Sequence, residues 1–251
     1  MNLASKDISD DFHSSKKIYL NNASVSLMPS QSIDAMKEFL ISYNAMGPDS
    51  KDSESFIAEK LDNVRKTIAK IISCQPDEVV LTQSTTDGIN IVANGLSFDN
   101  KSNIIIRGMT HEHHSNFYPW IKLKDKLSVR SLLIDKNGFF ELDNLKSNID
   151  ENTKLVALSH ALYNTGSILP IEKISKILNN KIPFFIDSAQ TIGCIGDHDV
   201  SKLKCNFMSF NGSKWLCGPM GTGLFYCNRK SSELLEPKTI GGESAITNAE
   251  N

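Results

Sequence analysis

Two textures of apolar and polar positions follow one another along this chain. In "SESFIAEKLDNVRKTIAKIIS" (53–73), Phe56, Leu61, Val64, Ile68 and Ile71 recur at steps of three to five, with Ile72 beside the last. That spacing predicts an amphipathic helix, and Ser53 stands where a helix N-cap is expected. From about residue 78 the pattern changes to short apolar runs. They are "EVVLT" (78–82), "NIIIR" (103–107), "VRSLLI" (129–134), "KLVALSH" (154–160), "IPFFID" (182–187), "NFMSF" (206–210) and "GLFYC" (223–227). Several are apolar throughout instead of alternating, as strands covered on both faces are. Between them lie helical segments, "TDGINIVANGL", "HSNFYPWIKLKDKL", "ELDNLKSNI" and "PIEKISKILN". Strands alternating with helices predict an α/β fold. The expected architecture is a mostly parallel seven-stranded sheet with helices on both faces, a three-layer α/β/α arrangement.

Sheets of this kind bind ligands outside the carboxyl ends of their strands, so chemistry is sought just after each apolar run. After the first comes Ser84-Thr85-Thr86, at the start of a helix. Those hydroxyls either cap the helix or, with its free N–H groups and dipole, hold a phosphate. After the second run come His111, His113 and His114. A metal site is a poor reading, because no Cys, Asp or distant His completes a ligand set. A surface histidine run or an imidazole that stacks on an aromatic ligand both remain. Asp187 ends "IPFFID". A carboxylate there is costly unless partnered, so it is a helix cap, an ion pair or a counter-ion to a cationic ligand. Lys214, in "FNGSKWLCGPMGTG", sits among small and apolar residues. Either its stem packs and its head reaches water, or desolvation lowers its pKa and makes the amine a nucleophile. The Gly-Pro turn after it is expected to let the backbone pass close to a bound ring.

Composition narrows the field. A formal net charge of -2, with Lys and Arg dispersed, argues against nucleic acid as a partner. The N-terminal "MNLASKDISDDFHSSKK" lacks the apolar core of a signal peptide, and no apolar run approaches a membrane span. Five cysteines without metal-like spacing read as reduced thiols in a cytoplasmic protein, Cys217 among them as a packed small side chain. No metal is expected.

Taken together, the four strand-end features converge on one ligand. A phosphate-binding helix start, an imidazole plate, a strand-end aspartate and an apolar-set lysine are the requirements of pyridoxal 5'-phosphate. The lysine forms its Schiff base and the aspartate pairs with its ring nitrogen, making the ring an electron sink.

At this point the chain resembles a known family, the class V aminotransferases of fold type I. These include cysteine desulfurases, selenocysteine lyases and isopenicillin N epimerase-like enzymes. The resemblance rests on six ordered blocks: "YLNNASVSLMP", "LTQSTTDGINIVANGL", "HEHHSNFYPW", "LVALSHALYNTGSILPI", "FFIDSAQTIG" and "SFNGSKWLCGPMGTGLFY". It implies that Lys214 is the Schiff-base lysine, Asp187 the partner of the ring nitrogen and Gln190 the donor to the ring hydroxyl. It implies that His113 stacks on the cofactor and that Thr85 and Thr86 bind its phosphate. Asn211 and Ser213 stand where the family often has Ser and His, and both can reach a phosphate. In desulfurases an Asn of an N-x-x-G motif holds the substrate carboxylate. Here Tyr163 has that spacing to Gly166, and Asn164 is one place off.

The resemblance also implies organisation and activity. Residues 1–30 are expected to form an arm and 31–245 a cofactor-binding large domain. Residues 246–251 would be a stub where members of the family continue past Gly241 and Gly242 into a small domain. The leading expectation is an enzyme acting on an amino acid, with desulfurase-like C–S cleavage of cysteine and Lys214 and His113 as catalytic groups. The alternatives are a class V aminotransferase or epimerase-like enzyme, or a non-catalytic cofactor-binding module needing a partner chain for the missing small domain. A homodimer is expected, because in this family the cleft lies at a subunit boundary.

Overall fold

The computed structural model describes residues 11–12, 18–196, 198–241 and 244. Gly242, the 246–251 stub and most of the 1–17 leader lie outside the described residues. Seven strands form one sheet: β1 (Val79–Thr82), β2 (Asn103–Arg107), β3 (Ser128–Leu132), β4 (Thr153–Ser159), β5 (Phe184–Asp187), β6 (Phe207–Asn211) and β7 (Gly223–Cys227). Their spatial order is β1-β7-β6-β5-β4-β2-β3. β2–β3, β2–β4, β4–β5 and β5–β6 pair in parallel, whereas β7 runs against both β1 and β6. One strand is therefore reversed in an otherwise parallel sheet, and all seven apolar runs are strands.

Continuous apolar sequence makes sense because both faces are covered. On one face Ile105, Val156, Leu158, Phe184, Ile186, Met208 and Phe210 join α2 (Lys51–Ile72), α5 (Leu142–Asn148), α6 (Ile171–Leu178) and α7 (Val200–Leu203). On the other, Ile104, Ile106, Leu155, Ala157, Phe185, Phe207 and Phe225 meet α3 (Thr85–Gly95) and α4 (Tyr118–Ile121). Neighbours in sequence, such as Ile104 and Ile105, point to opposite cores, as strand geometry requires. Phe185 sits against Trp120, ring centroids 5.5 Å apart. Full burial of such a side chain contributes about 1.5–3 kcal/mol.

Local details correct two expectations and add one element. The N-cap of α2 is Ser50, not Ser53. Ser53 is the third helical residue and closes a reciprocal capping box with Ser50. "HSNFYPWIKLKDKL" is not one helix but a 3-10 turn, the short α4 and a second 3-10 turn, with Pro119 in the first turn of α4, the one part of a helix that tolerates it. α7 was not anticipated, being only four residues long. Ahead of α2 lies α1 (Ser30–Met46), which buries none of its residues.

Candidate functional site

The core face under α3 ends in polar residues. Two positions beyond Ala157, Phe185 and Phe207 stand Ser159, Asp187 and Ser209, in register across β4, β5 and β6. Alternation keeps them on the same face as those core residues. α3 lies on this face and presents its N-terminus to the row. Its close approach depends on Gly88, where an added Cβ would lie 2.3 Å from Ser209 Oγ. The Ser209 hydroxyl in turn donates to Thr85 O at 2.9 Å.

A cavity of about 520 Å3 opens here. Thr85, Thr86, His113, Tyr163, Asp187, Gln190, Asn211 and Lys214 line it, together with Glu112 and Ser159. Two of the residues proposed from sequence are not among the lining. Ser213 is buried, and its carbonyl accepts from Ser26 N at 2.9 Å. Asn164 is turned to His111, its Nδ2 3.0 Å from Nδ1 of that ring. Tyr163 is the member of that pair which faces the cavity, its ring edge-on to His113 with centroids 5.2 Å apart.

Electrostatics single out two groups. Asp187 is buried, and Ala189 N–H donates to it at 2.9 Å. Burial pushes its carboxyl up to about 6, against the opposing pull of Lys214. Burial likewise holds the Lys214 amine below its ordinary value, with Asp187 working the other way. Each is the charge the other needs. His113 stands on the exposed rim. Desolvation of its ring, then the charges of Lys214 and His114, lower its imidazole. Its Nδ1 accepts from Ser115 N at 3.2 Å, so the neutral ring carries its proton on Nε2.

Gln190 is oriented by two contacts. The Trp215 indole, a donor only, points at its Oε1 at 2.8 Å. The amide nitrogen donates to Ala23 O at 2.8 Å and keeps a second N–H. Asn21, Ala23 and Ser24 also line the cavity, so part of the expected arm belongs to the wall. The loop that carries Lys214 folds back on itself. Gly212 N bonds Thr222 O, Gly218 N bonds Gly212 O, and a Cβ on Gly212 would lie 2.5 Å from Thr222 Oγ1. The loop is tight because it packs on itself.

Sequence reasoning did not single out Glu112, Ser159, Trp215 or the arm residues. Glu112 was visible as a carboxylate between His111 and His113 just past an apolar strand. The others act through contacts distant in sequence, which leave no local signal.

These residues fit pyridoxal 5'-phosphate. Thr85 Oγ1 and Asn211 Oδ1 are buried with no hydrogen-bond partner among the described residues, beside the free N–H groups of a helix start. A buried carboxylate and a desolvated amine face the same space. Fold and site together define an α/β protein with a lysine–carboxylate cleft at the carboxyl ends of its strands.

The chain belongs to the class-V aminotransferase family, which matches residues 18–250. It is 32% identical to a probable cysteine desulfurase of Methanothermobacter thermautotrophicus over 237 residues, 93% of this chain and 58% of the relative. It is 34% identical to a probable cysteine desulfurase of Pyrococcus abyssi over 229 residues, 90% and 57% respectively. The apo cysteine desulfurase of Thermococcus onnurineus superposes with a TM-score of 0.82 at 31% identity, covering 90% of this chain and 57% of that one. The chain thus spans under three fifths of these relatives.

Proposed function

We propose that this chain is the cofactor-binding large domain of a pyridoxal-phosphate enzyme that cleaves the C–S bond of cysteine, releasing alanine and passing sulfur to a thiol acceptor. The observation that carries the reading is Lys214 opposite the buried Asp187 in one cavity with the Thr85–Thr86 helix start. The probable desulfurases among its relatives support the choice of substrate.

When bound, the cofactor supplies an electron-withdrawing ring that stabilises negative charge at the substrate Cα. Asp187 would serve as the counter-ion of the ring nitrogen. Thr85, Thr86, Asn211 and the first N–H groups of α3 would hold the phosphate. The second N–H of Gln190 would be available to the ring hydroxyl, and His113 would cover the ring. The Lys214 amine, its pKa lowered by burial, takes and returns the proton at Cα. Tyr163 meets the substrate at the rim. Ser213 acts through its backbone, and we assign Asn164 to holding His111 instead of substrate.

Residues 31–245 are read as the large domain, with Asn21, Ala23 and Ser24 of the preceding segment adding to its cavity wall. Two copies of the chain pairing through α1 would explain a helix that buries no residue and exposes Met36, Leu40 and Ile41. Five unpaired thiols support the cytoplasm as its compartment. Among the described residues no helix is long and apolar enough to cross a membrane.

The test is spectroscopic and then chemical. Protein loaded with pyridoxal phosphate should show a near-visible band that borohydride bleaches and that Lys214→Ala lacks. Cysteine with excess thiol should then yield alanine and sulfide. No band in the loaded wild type would end the proposal. A band without turnover would favour the module that needs a partner chain.

A further inference from the structure

Glu112 is a second buried carboxyl on the cavity wall, and no role above uses it. It is 3% exposed. Its Oε1 accepts from His113 N and from Ser159 Oγ, each at 2.7 Å. That hydroxyl is the end of a directed chain. The Trp120 indole donates to Asn116 Oδ1 at 2.9 Å, and Asn116 Nδ2 donates to Ser159 Oγ at 3.2 Å. A donor-only indole fixes the amide, the amide fixes the hydroxyl, and Oε1 is left as a committed acceptor. Among the described residues Oε2 has no hydrogen-bond partner, and it faces Arg107 Nη1, also without one, across 3.8 Å.

We propose that Glu112 is the positioning residue for His113: its carboxyl ties the His113 backbone to the end of β4 and so sets the imidazole over the cleft between Asp187 and Lys214. The inference rests on the cofactor reading above, in which His113 covers the ring. The tie also senses pH. Burial, then the charge of Asp187, pushes the Glu112 carboxyl up to about 7, while Ser159, Arg107 and the His113 N–H oppose them. The charged groups facing it are therefore Arg107 from β2 and Asp187 from β5, with Lys214 acting on Asp187 and His113. Oε1 is already filled, so the proton comes and goes at Oε2, toward the Arg107 side.

Two variants separate geometry from charge. Glu112→Gln keeps the acceptor oxygen and cannot titrate. Glu112→Ala loses the acceptor. Pyridoxal phosphate is titrated into wild type and both variants, its bound absorption is followed from about pH 5.5 to 8.5, and urea midpoints verify folding. Glu112→Gln should bind within about threefold of wild type, and Glu112→Ala about tenfold more weakly, the loss of one charge-assisted hydrogen bond. Asp187 titrates in an overlapping range in both proteins, so the Glu112 contribution is the part of the near-neutral change in bound absorption that wild type shows and Glu112→Gln lacks. Equal affinities, or a near-neutral change in Glu112→Gln as large as in wild type, would overturn the inference. If no protein binds the cofactor, the cofactor reading fails, and the His113 ring resonances of the free proteins decide the tie. Resonances displaced in Glu112→Ala but not in Glu112→Gln support it, and the same resonances in all three refute it.

Discussion

Asp187→Asn should make the cofactor-free protein more stable at about pH 8 and leave it unchanged at about pH 4. Burial raises the Asp187 carboxyl from 3.8 to about 6 in the folded chain. A folded-state pKa raised in this way contributes stability that is complete below the unfolded value and is lost as pH rises through the folded one. At pH 8 the charged form therefore costs about 3 kcal/mol. Asparagine is neutral throughout and retains an oxygen for the Ala189 N–H. Two neighbours modify the gain. Glu112 is released from a like charge and adds to it, whereas Lys214 loses its counter-charge and subtracts from it. The net rise at pH 8 should be about 1–3 kcal/mol. Urea midpoints of both proteins across pH 4 to 8 measure it, with m-values checking that the denatured state is unaltered. A gap that stays constant over that range, or a variant less stable at pH 8, would refute the reasoning. Loaded with pyridoxal phosphate, the variant should gain less from the cofactor than wild type does.

Three further outcomes follow from the geometry. Gly223→Ala would put a Cβ 2.2 Å from Ser84 N, a backbone atom. It should cost about 1–3 kcal/mol by overpacking and weaken phosphate binding at α3, read by thermal melting and cofactor titration. Ser50→Ala removes one half of the α2 capping box and should cost about 1 kcal/mol in urea unfolding, with cofactor affinity unchanged. His160 has the opposite sign from Asp187: burial, then His198, pushes its imidazole down to about 4, so its stability is complete above about 6.5 and lost as pH falls toward 4. His160→Gln should flatten that acid limb by up to about 3 kcal/mol in urea midpoints at pH 4.5 against 7.5.

The strands were legible because burial on both faces leaves no polar interruption, and Phe184-Phe185-Ile186 reads as a strand before any partner is known. Boundaries were less so. Ser50 and Ser53 are both good caps, and only the reciprocal bonds decide which serves at the N-cap position. Asp187, Lys214 and the Thr85–Thr86 pair could be found because strand ends are where α/β sheets place chemistry. Asn164 and Tyr163 could not be separated by spacing. The bond that turns Asn164 away comes from His111, fifty-three positions earlier. Trp215 looked like an apolar neighbour of Lys214, yet its indole N–H orients Gln190.

Core and site are written in one alternation. Ser159 and Asp187 face the cavity, and Ser209 meets the start of α3, because each lies two places past a residue of the α3-side core. A one-residue slip of β5 would put Ile186 into the cleft and a carboxylate into the opposite core. The row is therefore bound to the fold, and variation between relatives has to enter through the loops around it. Tyr163 is such a loop residue, half exposed at the rim against His113. If it meets substrate and not cofactor, Tyr163→Asn should leave pyridoxal phosphate affinity within about twofold and shift KM for cysteine by about tenfold, one hydrogen bond's worth. A change in cofactor affinity as large as the change in KM would mean that Tyr163 acts through His113, and that the substrate is selected elsewhere on the rim.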